Sequence, residues 1–320
     1  YYLFNYYNDI GLAEQKNMYN KLLDIMRNNH SIKFQRNIKK ELFDIDVKNN
    51  DYENAIKTIQ EIEALSMIMN DQKALSWLYI DVGRFYYNNI QNKSLGLEYY
   101  QKGLEIYEGG HEVGWRRSYI MKLIDGAQYD KAQNQIDIIS EHSLSALDSL
   151  DLFYARAYFN YSIEKYQEAI YYLENARLLF YEDYNWRYKH ILYFLGNLYV
   201  YKEEYDKSIQ LYNKCLELAK NQNDWIYLLN IKLALTYFKK GEIGKSKIYY
   251  QISENLYNEV DTKHYWDLYK INQLYQNTDL AISYLDSSYT ELFKISKHYT
   301  NIEERNFYLT FNKDNKRIQK

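Results

Sequence analysis

Leu195-Gly196-Asn197-Leu198-Tyr199, then Tyr205-Asp206-Lys207-Ser208, then Tyr212 and Cys215, is the stretch whose reading decides the fold. Apolar and small residues return at helical spacing on both sides of a short polar break, which reads as helix, turn, helix. The arrangement recurs about 38 residues later as Leu233-Ala234 with Tyr237, then Ser246, Tyr250 and Ser253, and a fixed period of this size marks a repeat array. Working outward, the same grammar appears as Tyr52-Glu53-Asn54-Ala55, Leu95-Gly96-Leu97-Glu98-Tyr99-Tyr100, Tyr129-Asp130-Lys131-Ala132, Tyr166-Gln167-Glu168-Ala169 and Asp279-Leu280-Ala281-Ile282. Ala55, Gly96, Ala132, Ala169, Ser208, Ser246 and Ala281 are the small residues at the start of each second helix. Seven units follow.

The residue types have a physical reason. A small side chain lets the first helix of a unit cross the second at close range, where a larger one would overpack. Four and seven positions further on come Tyr100 and Gly103, Leu173 and Ala176, Tyr212 and Cys215, and Leu285 and Ser288. They lay an apolar or small stripe along one helical face for the next unit to cover. No helix pair buries both its faces alone, so stacking supplies the missing burial and the array is expected to be an all-α superhelix.

Composition agrees. Proline is absent, where an average chain of this length carries roughly 16 at about 5% usage, and this counts against turn-rich β-sandwiches and polyproline segments. Of the 47% apolar residues 40 are tyrosine, so tyrosine is expected to build much of the core, in thin and half-exposed layers where its hydroxyl finds a partner or water. Net charge is −3, which gives no global positive field for nucleic acid. Cys215 is the single cysteine and the six histidines are scattered, which excludes a disulfide framework and leaves zinc ligation unsupported. The apolar stretch from Ile226 to Phe238 is interrupted by Asn230 and Lys232 and falls short of the ~20 residues of a membrane span. The chain starts at Tyr1 rather than methionine, as expected of a processed or excised piece.

The pattern resembles the tetratricopeptide repeat. Leu195, Gly196, Tyr199 and Tyr212, with Tyr79, Gly83, Tyr86, Gly96 and Tyr100, match its consensus, although the closing proline is missing from every unit and the period is longer than the family's. The resemblance covers about residues 38–296 and implies a right-handed superhelical solenoid of about seven antiparallel helix pairs. Residues 1–37 are expected to form one further helix pair, a cap or a truncated repeat, and residues 297–320 a helical tail. Such extended repeats resemble those of bacterial signalling proteins, both cytosolic peptide-pheromone receptors and the sensor halves of large nucleotide-cyclase or transcription-regulator ATPases. The tail Ile302-Glu303-Glu304-Arg305-Asn306-Phe307-Tyr308-Leu309 is similar to the segment that ends the repeats in those regulators.

In the family the first helices line the concave groove, and Trp77, Trp115, Trp186, Trp225 and Trp266 all fall near the beginning of a first helix. Two readings fit: an aromatic ladder that grips a peptide or partner helix, or consensus aromatics packed between helices. Trp115-Arg116-Arg117 and Trp186-Arg187-Tyr188-Lys189-His190 add basic groups. Facing the groove, these would hold a carboxylate or phosphate; facing solvent, they form an ordinary helix surface. Arg84 and Arg156 are secondary candidates of the same kind. Asn197, with Asn230 and Asn160 on other first helices, offers the donor and acceptor that a peptide bond pairs with.

No phosphate loop, dinucleotide fingerprint or nucleophile elbow occurs, and Cys215 occupies a packing position that suits a buried, inert thiol. The expectation is a non-catalytic cytoplasmic domain without cofactor or metal, which binds a peptide or protein partner. The alternatives are a peptide-pheromone receptor, or the regulatory region of a larger enzyme.

Overall fold

The computed structural model describes residues 11–106, 113–141, 144–179, 185–259, 264–310 and 318. Among them there are helices and turns and no strand. Helix α1 (Leu12–Asn28) precedes seven pairs. These are α2 (Ile32–Lys48) with α3 (Tyr52–Ile68), α4 (Gln72–Asn88) with α5 (Lys93–Ile106), α6 (Val113–Asp125) with α7 (Tyr129–Ser140), and α8 (Ala146–Ser162) with α9 (Tyr166–Leu178). There follow α10 (Asn185–Tyr201) with α11 (Tyr205–Ala219), α12 (Asn223–Lys240) with α13 (Ile243–Leu256), α14 (Tyr265–Leu274) with α15 (Thr278–Ser296), and a last helix α16 (Ile302–Thr310). The fold is an all-α helical solenoid.

Each of the seven small residues stands at the fourth position of its second helix and is buried. Between α4 and α5 the two backbones themselves meet. A Cβ added at Gly83 would lie 2.9 Å from the Gly96 carbonyl oxygen, and one at Gly96 would lie 2.7 Å from Tyr87 Cβ. Backbone touches backbone there, and only glycine fits.

The turns are as regular as the contacts. In every pair the residue two places before the second helix has positive φ: Asn50, Gln91, Ala127, Glu164, Glu203, Gly241 and Gln276. In most of them the next residue's N–H then reaches back to the first helix, as in Gln128 to the Leu123 carbonyl at 2.8 Å and Glu204 to the Tyr199 carbonyl at 2.9 Å. This αL closure satisfies the end of the first helix and reverses the chain in three residues or so. Asp51 and Asp71 cap the helices that follow them through the N–H groups of Asn54 and Ala74.

Two compact units form. The first comprises residues 1–115 and 298–300, the second 116–297 and 301–320. In the first, Lys93 N–H donates to the His298 carbonyl at 2.8 Å, and the hydroxyls of Tyr87 and Tyr299 lie 3.4 Å apart. The boundary expected at residue 38 falls inside α2, which begins at Ile32. The first repeat therefore starts earlier, and the described part of the segment before it holds one helix rather than a pair; residues 1–10 lie outside the described residues. Tyrosine builds the core more deeply than thin layers would require. Tyr79, Tyr100, Tyr212, Tyr227 and Tyr299 are among the largest fully buried side chains, and hydroxyl partners within the protein make this possible, as in Tyr79 to Glu63 and Tyr212 to Asn197.

Candidate functional site

The first helices of four successive repeats, α8, α10, α12 and α14, contribute to one cavity of about 550 Å³ in the second unit. Residues four apart on one helix share a face, which is how Tyr193, Asn197 and Tyr201 of α10, and Lys232 and Thr236 of α12, come to line the same space. Tyr161 of α8 and Trp266 and Asp267 of α14 add to the wall. Only Tyr212 comes from a second helix, and it enters because Gly196 leaves room for its ring.

A polar network runs across the aromatic wall. The Tyr212 hydroxyl donates to Asn197 Oδ1 at 2.8 Å. Lys232 Nζ donates to Asp267 Oδ2 at 2.7 Å, and Lys270 joins the same carboxylate. Burial opposes the charge on Asp267, yet the two ammonium groups hold its carboxyl far below the usual range. Burial likewise opposes the charge on Lys232, and Asp267 more than compensates, so its pKa is raised. Burial pushes the hydroxyls of Tyr193 and Tyr212 upward and keeps them neutral. The wall thus offers neutral hydroxyl and amide groups beside one carboxylate and three ammonium groups, those of Lys232, Lys239 and Lys270.

The tetratricopeptide-repeat family pattern matches residues 191–224, spanning α10 to the start of α12. Residues 191–224 carry a tetratricopeptide repeat. Among solved structures it is similar to the apo form of RapI, at 13% identity over 96% of each chain with a TM-score of 0.60. It is similar also to a Rap protein complexed with competence and sporulation factor, at 13% identity over 96% of this chain and 97% of that one with a TM-score of 0.59. A further likeness, to the APC/C heterotetramer Cut9–Hcn1, has 16% identity over 96% of this chain and 58% of the other, with a TM-score of 0.52. At such identities the likeness is one of fold. No curated protein matches the sequence.

Within this helical-repeat chain the expected site residues are dispersed. Asn197 lines the cavity. Trp225 is packed: His190 meets its ring edge-on at 4.8 Å, Tyr193 at 5.6 Å, and Lys189 Nζ lies 4.4 Å from its centroid. Trp115 stands in the first unit against the exposed Trp77, ring centroids 5.7 Å apart. These contacts favour the packing reading for both. Asn230 is buried and donates back to the Ile226 carbonyl at 2.6 Å, and Asn160 does the same to Arg156. The expected ligand-facing role does not fit Asn230, because its amide serves its own helix. The side chain of Trp186 lies outside the described residues.

The two basic knots do not present open arginines. Arg116 Nη1 donates to Gln135 Oε1 at 2.8 Å. Arg117 and Arg187, from α6 and α10, converge on Oδ1 of the buried Asp151 of α8 at 3.3 and 3.6 Å. A carboxylate within the fold already occupies the place expected for a ligand's anion. Lys189 is turned inward onto Gln222, and Cys215 Sγ donates to the Lys189 carbonyl at 3.3 Å with its thiol pushed up by burial to about 12.

Sequence reasoning missed Lys232, Asp267, Lys270 and the Asp151 junction. A signal existed. Lys232 and Asp267 lie 35 residues apart, as do Lys16 and Asp51 and also Arg36 and Asp71, while Asp206 and Lys240 lie 34 apart. Opposite charges separated by one repeat are thus brought together by stacking, and the pattern is legible once the period is known.

Proposed function

We propose that this chain works by binding rather than by chemistry, as a peptide- or protein-binding domain of a bacterial cytoplasmic signalling protein. The observation that carries the reading is the cavity lined by first helices of four successive repeats. An extended segment laid there would touch several repeats at once, with aromatic faces for its side chains and Asn197 for its backbone. The shape of the fold supports the same view, since a similar Rap protein was crystallised with competence and sporulation factor. The chain needs no cofactor for this role, and its net charge of −3 argues against direct contact with nucleic acid.

The test is selection of displayed random peptides on the intact chain, followed by calorimetry with the selected peptides. Trp266→Ala should weaken binding by at least about tenfold while leaving the melting curve in place; Asn197→Ala should weaken binding similarly but also lower the melting temperature, because it strands the buried Tyr212 hydroxyl. Failure to select any peptide, or binding by both variants as tight as that of the unaltered chain, overturns the reading.

A further inference from the structure

The charges lining the cavity do not balance. Among the described residues, Lys232, Lys239 and Lys270 face it with Asp267 as the one carboxylate. Lys232 is the inner partner, side chain 17% exposed and paired with Asp267 at 2.7 Å. Lys270 shares that carboxylate but is 38% exposed, and its Nζ lies 5.8 Å from the ring centroid of Trp266. Lys239 is exposed on the cavity rim. The tyrosine hydroxyls of the wall, Tyr193 and Tyr212, are neutral because burial raises them. The described wall therefore carries an excess of two positive charges, although Lys270 shares the Asp267 carboxylate, beside an aromatic surface formed by Tyr161, Tyr201 and Trp266.

We infer that the occupant of this cavity is an acidic peptide segment, with an aspartate or glutamate side chain received by Lys239 and Lys270 next to an apolar or aromatic residue on the tyrosine and tryptophan faces. The inference rests on the peptide-binding reading above and adds the charge of the ligand. Charge complementarity decides it. A basic segment would add to this positive excess in a partly enclosed space of lowered dielectric, where repulsion is strong. An acidic one neutralises the excess and leaves the Lys232–Asp267 pair intact. The arginines at Asp151 show the fold's other solution, in which a carboxylate of the chain itself fills the place between cations. Among the described residues no carboxylate is paired with Lys239.

The experiment uses peptides selected by display on the intact chain, each compared with a version carrying Asn for Asp or Gln for Glu. Selected sequences should be enriched in acidic residues, and the neutral versions should bind at least about tenfold more weakly, with the difference shrinking as salt rises. Lys270→Gln and Lys239→Gln should erase the preference, and Lys270→Arg should retain it. Peptides that bind the cavity equally well when neutralised, or selected sequences rich in lysine and arginine, overturn the acidic assignment while leaving peptide binding itself standing. Failure to select any peptide overturns both.

Discussion

The ring of Tyr212 lies directly on the backbone of Gly196: a Cβ placed on the glycine would meet Cε1 at 2.5 Å and Cδ1 at 2.8 Å. From that seat the Tyr212 hydroxyl reaches Oδ1 of the next residue, Asn197, at 2.8 Å. One notch in α10 therefore both joins two helices and delivers a second-helix side chain to the cavity. Gly196→Ala should cost about 1–3 kcal/mol by forcing the ring aside. In chemical denaturation its midpoint should fall, and peptide affinity should fall with it. An unchanged midpoint would mean that α10 and α11 part at no cost.

Ala169 is fully buried at the matching place of α9. Ala169→Leu inserts three further carbons where α8 crosses, and should lower stability by about 1–3 kcal/mol. Ala169→Ser, which copies Ser208 and Ser246, should be tolerated far better. Thermal melts of the two variants side by side check the ranking.

The Lys232–Asp267 pair is buried, and removing Asp267 strands the Lys232 ammonium. Asp267→Leu should cost about 3–5 kcal/mol, while Asp267→Leu combined with Lys232→Met should recover most of that loss. Equal destabilisation by the single and the double variant would show that the pair contributes through packing alone.

Glu203 holds a positive φ of 62° in the turn between α10 and α11 and is exposed. Glycine adopts that conformation freely, so Glu203→Gly should stabilise the protein by about 1 kcal/mol. Gly241, the one glycine among these seven turn residues, has a φ of 89°, and Gly241→Ala should move stability by a similar amount in the opposite direction.

Burial lowers the His190 pKa to about 4, and the neighbouring Lys189 and Arg117 push the same way. Unfolded histidine titrates near 6.5, so between about pH 6.5 and pH 4 the unfolded chain binds the proton that the folded chain refuses. Stability should fall on acidification through that window, by about 1.4 kcal/mol per pH unit for this group. Asp267, held low by its lysines, adds its loss only below the ordinary carboxylate range. His190→Asn should flatten the profile between pH 6.5 and 4 and leave the part below unchanged. A wild-type stability that is level across the window would rule out a neutral, half-buried His190.

The fold was legible in the chain because it depends on short-range rules that repeat. Small residues at Ala55, Gly96, Ala132, Ala169, Ser208, Ser246 and Ala281 mark where helices touch, and all of them are buried where the period puts them. The start of the first repeat was less legible, because α2 carries no small-residue marker at its own beginning. The site was read least well. Helical phase alone does not say whether an arginine at the start of a first helix looks outward, and Arg117 and Arg187 both turn to Asp151.

By itself the sequence determined the helices, the pairing of neighbours and the period, since each is set by residues within one repeat length of one another. The tertiary structure decided which charges meet and which side chains share a cavity. Those relationships join residues a repeat or more apart, as Lys232 joins Asp267 across 35 positions, and they exist only once stacking has fixed the rotation of each helix against the next.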